Sequence, residues 1–335
     1  MPVRMLFSIL ISLILVSVVV GNEHYPKVSP AQFSAAFHGY ELPQKECRAD
    51  EVDSNEVKFY LYTRQNLHKY ELHTGYNCSN SYESLRNSTY NVRKETKFLI
   101  HAWTQSPKDI NDIIYIYLYA ENVNVIMVDW SMYSQTCNYN STSYVVIPKV
   151  AKALSDLMKL LTGYGAVPQK NFHVIGFLHG AHIAGIAGKY ISPLRISRIS
   201  GLDPVGYNID GTALPVLQNG DADFIDVIYT SIEYYGTQRQ IGDLSFYPDR
   251  GTHPQKQCPP DPNEWVCSAL ASIKYWRESI TSPTAFSAIR CDNYVQYHES
   301  RCPGPNTTMG EYASRNAPFG KYYLNTNPEP PYSQS

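Results

Sequence analysis

The sequence lacks a surplus of either charge: Lys plus Arg number 28 against Asp plus Glu 30, and basic residues nowhere gather into a run. A nucleic-acid partner needs such a basic footprint, so that class of function is excluded. Beyond its first residues the chain also lacks an apolar run long enough to cross a bilayer, and no membrane span is expected in the mature protein. Its seven cysteines contain no Cys-x-x-Cys spacing, which argues against a zinc site or a dithiol redox motif; neither metal nor cofactor is expected. Internal repeats and low-complexity tracts are missing as well.

What is present begins with Arg4, the apolar run Met5–Val20 and a switch to polar sequence at Gly21-Asn22-Glu23. A basic start, an apolar stretch and small residues at Val19 and Gly21 make the pattern of an export signal spanning residues 1–21. A retained anchor would need roughly 20 apolar residues, more than this run supplies. The mature chain is therefore expected to be secreted, extracellular and soluble. Residues 22–328 are expected to form one α/β domain, with a Pro-rich, loose tail after Asn325, at 329–335 in particular. In an oxidising compartment most of Cys47, Cys78, Cys137, Cys258, Cys267, Cys291 and Cys302 should pair, and an odd count leaves at least one over. Asn77, Asn87, Asn140 and Asn306 each head a glycosylation sequon.

Three short apolar runs, Lys97–His101, Asn124–Asp129 and Phe172–Gly176, predict buried parallel strands. Between the last two, Val146, Val150, Ala153, Leu154, Leu157 and Leu161 recur at three-and-four spacing, which predicts a helix over Tyr144–Thr162 and a right-handed crossover. The third strand runs directly into Gly176-Phe177-Leu178-His179-Gly180, followed by small and apolar residues to Tyr190. Two glycines four residues apart around one central residue meet the steric demand of a nucleophile elbow. A fourth strand, Ile196–Leu202, ends on Asp203-Pro204; Ile225–Thr230 reads as another strand and Ala269–Ile280 as a late helix.

These residues resemble the pancreatic-lipase family, in particular its insect lipases, venom phospholipases and fly yolk proteins. The family's elbow, G-H-S-L-G-A-H-x-A-G, is met by Gly176, Gly180, Ala181, His182, Ala184 and Gly185. Its triad acid in G-L-D-P is met by Gly201-Leu202-Asp203-Pro204, and Y-F-x-E-S-I by Tyr275–Ile280. Asn124–Trp130, Phe224–Ile228, Ile241–Pro248, Met309-Gly310 and Gly320–Leu324 extend the resemblance in order along the chain. It implies an α/β-hydrolase fold with a mostly parallel sheet flanked by helices. It also implies the pairings Cys258–Cys267 around a very short lid at 259–266, Cys291–Cys302 and Cys47–Cys137, with Cys78 unpaired. The chain ends soon after the matched segments, so the β-sandwich tail of vertebrate lipases is expected to be absent.

The departures concern the chemistry. The family's route needs an activatable hydroxyl, a base within reach and an acid that fixes the base. Leu178 stands in the serine's place and Ala269 in the histidine's, so Asp203 alone remains, expected as a structural carboxylate. The oxyanion loop H-G-[FW] reads His101-Ala102-Trp103, losing glycine but keeping Trp103 as a possible pocket wall. His179 is expected as a polar side chain at a helix start, His182 as a structural hydrogen-bonder, and Trp265 as an apolar contact near the lid. The expected function is a non-catalytic extracellular protein that binds a lipid, fatty acid or sterol-like ligand in an apolar cleft over Leu178, or a protein partner. The competing readings are a triacylglycerol lipase or phospholipase with an unorthodox site and a yolk or reproductive-fluid storage protein.

Overall fold

The computed structural model describes Ala35 and residues 42–334, apart from 75–77, 166–170, 207–208 and 261–263. The export signal and the sequon at Asn77 lie outside the described residues.

The predicted strands form with shifts of one or two residues. A hairpin, β1 (Lys58–Thr63) and β2 (Asn66–Leu72), is followed by β3 (Thr96–Ile100), β4 (Asn124–Asp129), β5 (Phe172–Phe177), β6 (Arg198–Leu202), β7 (Ile225–Ile228) and β8 (Leu244–Pro248). Then come β9 (Ser287–Arg290), β10 (Asn306–Thr308) and β11 (Gly320–Leu324). They join in one sheet of 11 strands in the order β10-β9-β11-β8-β7-β6-β5-β3-β4-β1-β2. From β4 through β3, β5, β6, β7 and β8 to β11 every pairing is parallel, with antiparallel strands at both edges. Every residue of β3, β5 and β6 is buried. That continuous burial is what a parallel sheet covered on both faces demands of its strands.

The main helices are α1 (Cys78–Arg86), α2 (Asp112–Ala120), α3 (Ile147–Gly165), α4 (His179–Tyr190), α5 (Glu264–Thr281) and the short α6 (Tyr294–His298). The α3 packs on α4 and α2 packs on α5. The apolar stripe of α3 is buried as its spacing requires: Val150, Ala153, Leu154, Leu157 and Leu161 are at most 3% exposed. Each such leucine contributes on the order of 1.5–3 kcal/mol by leaving water. The helix begins later than its sequence pattern predicts, because Thr142–Val146 form a π-helical turn before α3.

Three disulfides close as the family resemblance implies: Cys47–Cys137, Cys258–Cys267 and Cys291–Cys302. Asn87, Asn140 and Asn306 are exposed. Among the described residues no helix is long and apolar enough to cross a membrane.

The tail departs from expectation. Residues 329–335 were expected to be loose, yet up to Ser333 the chain is docked. Glu278 on α5 accepts from the Tyr332 and Ser333 amides at 2.6 and 2.9 Å, Asn327 N donates to Tyr332 O at 2.8 Å, and the Tyr332 ring meets Tyr275 at 5.8 Å. Prolines give this segment a preset turn, and one carboxylate satisfies two of its backbone donors at once, so little entropy is left to oppose docking.

Candidate functional site

The site is set by a steric frame at the carboxyl ends of β5 and β6. A Cβ on Gly176 would lie 2.3 Å from the Gly180 backbone, and one on Gly180 would lie 2.4 Å from Ile100 O. Only hydrogens fit, so the strand can turn sharply into α4. Leu178 occupies the tip at φ 48°, ψ −108°, with its amide donating to Leu202 O at 3.0 Å. A left-handed branched residue costs about 1–3 kcal/mol and persists only where its surroundings over-determine it. Here the frame does so.

The ladder pairs Phe177 with Leu202, so Leu178 and Asp203 sit side by side, one residue beyond each strand. Asp203 is fully buried. Its Oδ1 accepts from the Thr230 and Ser231 amides at 2.8 and 3.0 Å, and its Oδ2 from the Ser231 hydroxyl at 2.5 Å. Burial pushes its carboxyl up to about 6, with those donors only partly offsetting it. It is held by donors that follow β7, and no imidazole bonds to it among the described residues.

Ala269 is buried on α5, one turn after Trp265 on the same helix face. Trp265 is 4% exposed, with its ring centroid 6.2 Å from that of Tyr235. The neighbour of the empty base position, Ser268, accepts from Gln255 N at 3.1 Å.

The expectation that His179 is simply a polar residue at a helix start is corrected. Its imidazole is completely buried, among Tyr139, Trp103 and Tyr235, with ring centroids at 5.3, 6.0 and 6.3 Å. Neither ring nitrogen has a hydrogen-bond partner among the described residues. Burial, helped by His182, pushes its pKa well down, so it is neutral. The helix start points into the protein because the elbow turns α4 beneath the loop that carries Trp103. That tryptophan is also buried rather than walling an open pocket, its Nε1 donating to Cys137 O at 2.9 Å. Ala102 tolerates the loss of glycine because the left-handed residue of this loop is Thr104, φ 66°. Its amide donates to Gln105 Oε1 at 2.9 Å. Leu178, Trp103, His179 and Tyr235 expose nothing to solvent, so among the described residues the apolar cleft expected over Leu178 is not open. Both ring nitrogens of His182 meet the backbone: Nε2 is 2.7 Å from Val205 O and Nδ1 accepts from Leu217 N at 3.3 Å. Burial pushes its pKa down to about 4.

Tyr235 belongs to the pair Tyr234-Tyr235, whose aromatic density in the sequence can mark a binding surface, but it is buried here; sequence reasoning missed Tyr139, and it missed a charged cluster at the opposite end of the sheet. Lys97, His173 and Arg198 stand in register across β3, β5 and β6. Glu311 reaches them, with Oε1 2.6 Å from Lys97 Nζ and Oε2 accepting from the Tyr117 hydroxyl at 2.5 Å. Arg198 clasps Asp226 at 2.8 and 3.0 Å, and Ser200 Oγ lies 2.9 Å from His173 Nε2 while donating to Asp226 at 2.8 Å. Burial, then Arg198, push His173 down to about 3. Burial opposes the ionisation of Glu311, but His173, Lys97 and Arg198 hold its carboxyl well below the usual range. The only signal for this cluster was three polar residues inside apolar strands.

A mostly parallel sheet whose strand turns on paired glycines into a helix, with an acid beyond the next strand, defines the α/β-hydrolase class. Within it the chain belongs to the lipase family: the family described as Lipase matches residues 32–332. It is 32% identical to pancreatic lipase-related protein 2 of Cavia porcellus, over 81% of this chain and 64% of that one. It is 32% identical to inactive pancreatic lipase-related protein 1 of Homo sapiens, over 81% and 63%. Lipase member H of Oryctolagus cuniculus is 27% identical over 93% and 68%. The match thus spans less than two thirds of the length of the first two relatives.

Proposed function

We propose that this protein is a non-catalytic, extracellular member of the lipase family that binds a lipid-like ligand without cleaving it. The observation that carries this is Leu178 at the elbow tip: an alkyl side chain has no lone pair with which to attack an ester. Ala269 offers no base, and Asp203 spends its acceptors on Thr230 and Ser231. The one imidazole beside the tip, His179, is neutral, enclosed by rings and bonded to no hydroxyl among the described residues, so no nucleophile and base form a pair. Three disulfides support an oxidising, extracellular setting. The test is to expose the secreted protein to a fluorophosphonate probe and to short- and long-chain esters. No labelling and no hydrolysis above buffer are expected; stoichiometric labelling would overturn the reading.

A further inference from the structure

With the elbow closed, a ligand needs another seat, and the π-helical turn before α3 provides one. Ala49, Tyr144, Val145, Pro148 and Tyr190 line a hollow of about 530 Å³, within the roughly 300–1,000 Å³ range of small-molecule sites. Two other described hollows, of about 320 Å³ each, carry charge in their walls, one at Lys58, Glu71 and His73, the other at Glu233, Arg250 and Lys321. This one is apolar except at its edge, where Lys149 and Lys152 stand one helical turn apart. Lys152 is engaged by Asp156 at 2.6 Å. Lys149 is half-buried and has no carboxylate among the described residues. Tyr144 and Tyr190 remain 51% and 39% exposed, although their rings form the wall. Isolated π turns concentrate at functional sites, and this one directs Tyr144 outward while Thr142, Ser143 and Val146 are buried.

We infer that this groove binds the anion of a long-chain fatty acid, its chain along Tyr144, Val145, Pro148 and Tyr190 and its carboxylate at the Lys149 ammonium. An apolar trough with one uncompensated cation at its rim is complementary to a slender amphiphile with one negative end. A stable protein interface would need about 800 Å² from each partner, far more than this hollow offers. The groove lies at the far end of α4, about 18 Å along the helix from the elbow tip, so it is independent of the elbow. That the ligand is lipid-like rests on the function proposed above; its location does not.

The full secreted chain is titrated with a palmitate analogue carrying a diazirine, below its micelle concentration, and cross-linked peptides are mapped. Saturable binding with adducts at 144–152 or Tyr190 is expected, the affinity of unlabelled acids rising roughly fourfold per added methylene until the groove is full. Val145→Asp, at a half-buried position, with Tyr190→Asp, at an exposed one, should weaken palmitate more than tenfold. Lys149→Glu should weaken palmitate about fivefold yet leave hexadecanol unchanged, since a rim charge contributes modestly. Circular dichroism confirms that each variant is folded. Adducts at Trp103 or 178–181 instead, with groove variants binding normally, would overturn the groove and spare the lipid reading. No saturable binding by the unaltered chain would overturn both.

Discussion

The two ends of the parallel sheet differ. At the carboxyl ends of β5 and β6 stands one buried carboxylate, Asp203, and beside it Leu178 is buried and His179 lies among aromatic rings. At the amino ends Lys97, His173, Arg198, Asp226 and Glu311 remain buried and bonded to one another. The difference teaches which buried polar groups a fold can lose. Catalytic groups are held for a substrate and can be replaced by apolar ones of suitable shape. A closed ion network cannot lose one member without leaving a charge unpaired out of water. Perturbed titration in this molecule therefore marks scaffold as much as site.

The comparison is broken most severely by Glu311→Gln, which removes the anion shared by Lys97 and Tyr117. A loss of about 3–5 kcal/mol is expected, read from urea denaturation with the disulfides intact; a loss under about 1 kcal/mol would mean that the network is not what holds the amino ends. Acid provides a graded version. His173 and His182, depressed from 6.5 to about 3 and 4, contribute stability that is present above pH 6.5 and lost as pH falls through those values. Glu311, also depressed, adds to the loss below its ordinary range. Asp203 has the opposite sign: its pKa is raised from 3.8 to about 6, so its contribution is present below 3.8 and gone once pH rises above 6. His179 is depressed in the same direction, so three histidines outweigh one aspartate, and the thermal midpoint should fall between pH 6.5 and 4. The fall should be shallower in His182→Gln; an equal slope would remove His182 from the account. The smallest effect belongs to Asp203→Asn, expected within about 1 kcal/mol of the parent at pH 7.5. Denaturation at pH 7.5 and pH 5 checks this, and a large loss at pH 7.5 would show that Asp203 supports the fold as a charge.

The central strands, α3 and the elbow were legible in the sequence because each rests on neighbouring residues: apolar runs, a 3.6-residue stripe, and two glycines whose clearances are local. The hairpin was not, since β2 is largely exposed and has no apolar run to announce it. The closure over Leu178 was not legible either. Its Tyr139 and Tyr235 are brought to His179 from far along the chain by the fold alone. The same distance hid Glu311, which meets Lys97 across 214 positions. The docked tail was misread because proline suggests looseness until a partner such as Glu278 is seen to receive it.

The geometry of the elbow has a consequence for substitution. Gly176, Gly180 and the bond from Leu178 to Leu202 dictate the turn, whatever side chain sits at its apex. The apex is thus free to vary while its surroundings stay constrained, so the frame of the turn is independent of the chemistry of the residue it presents.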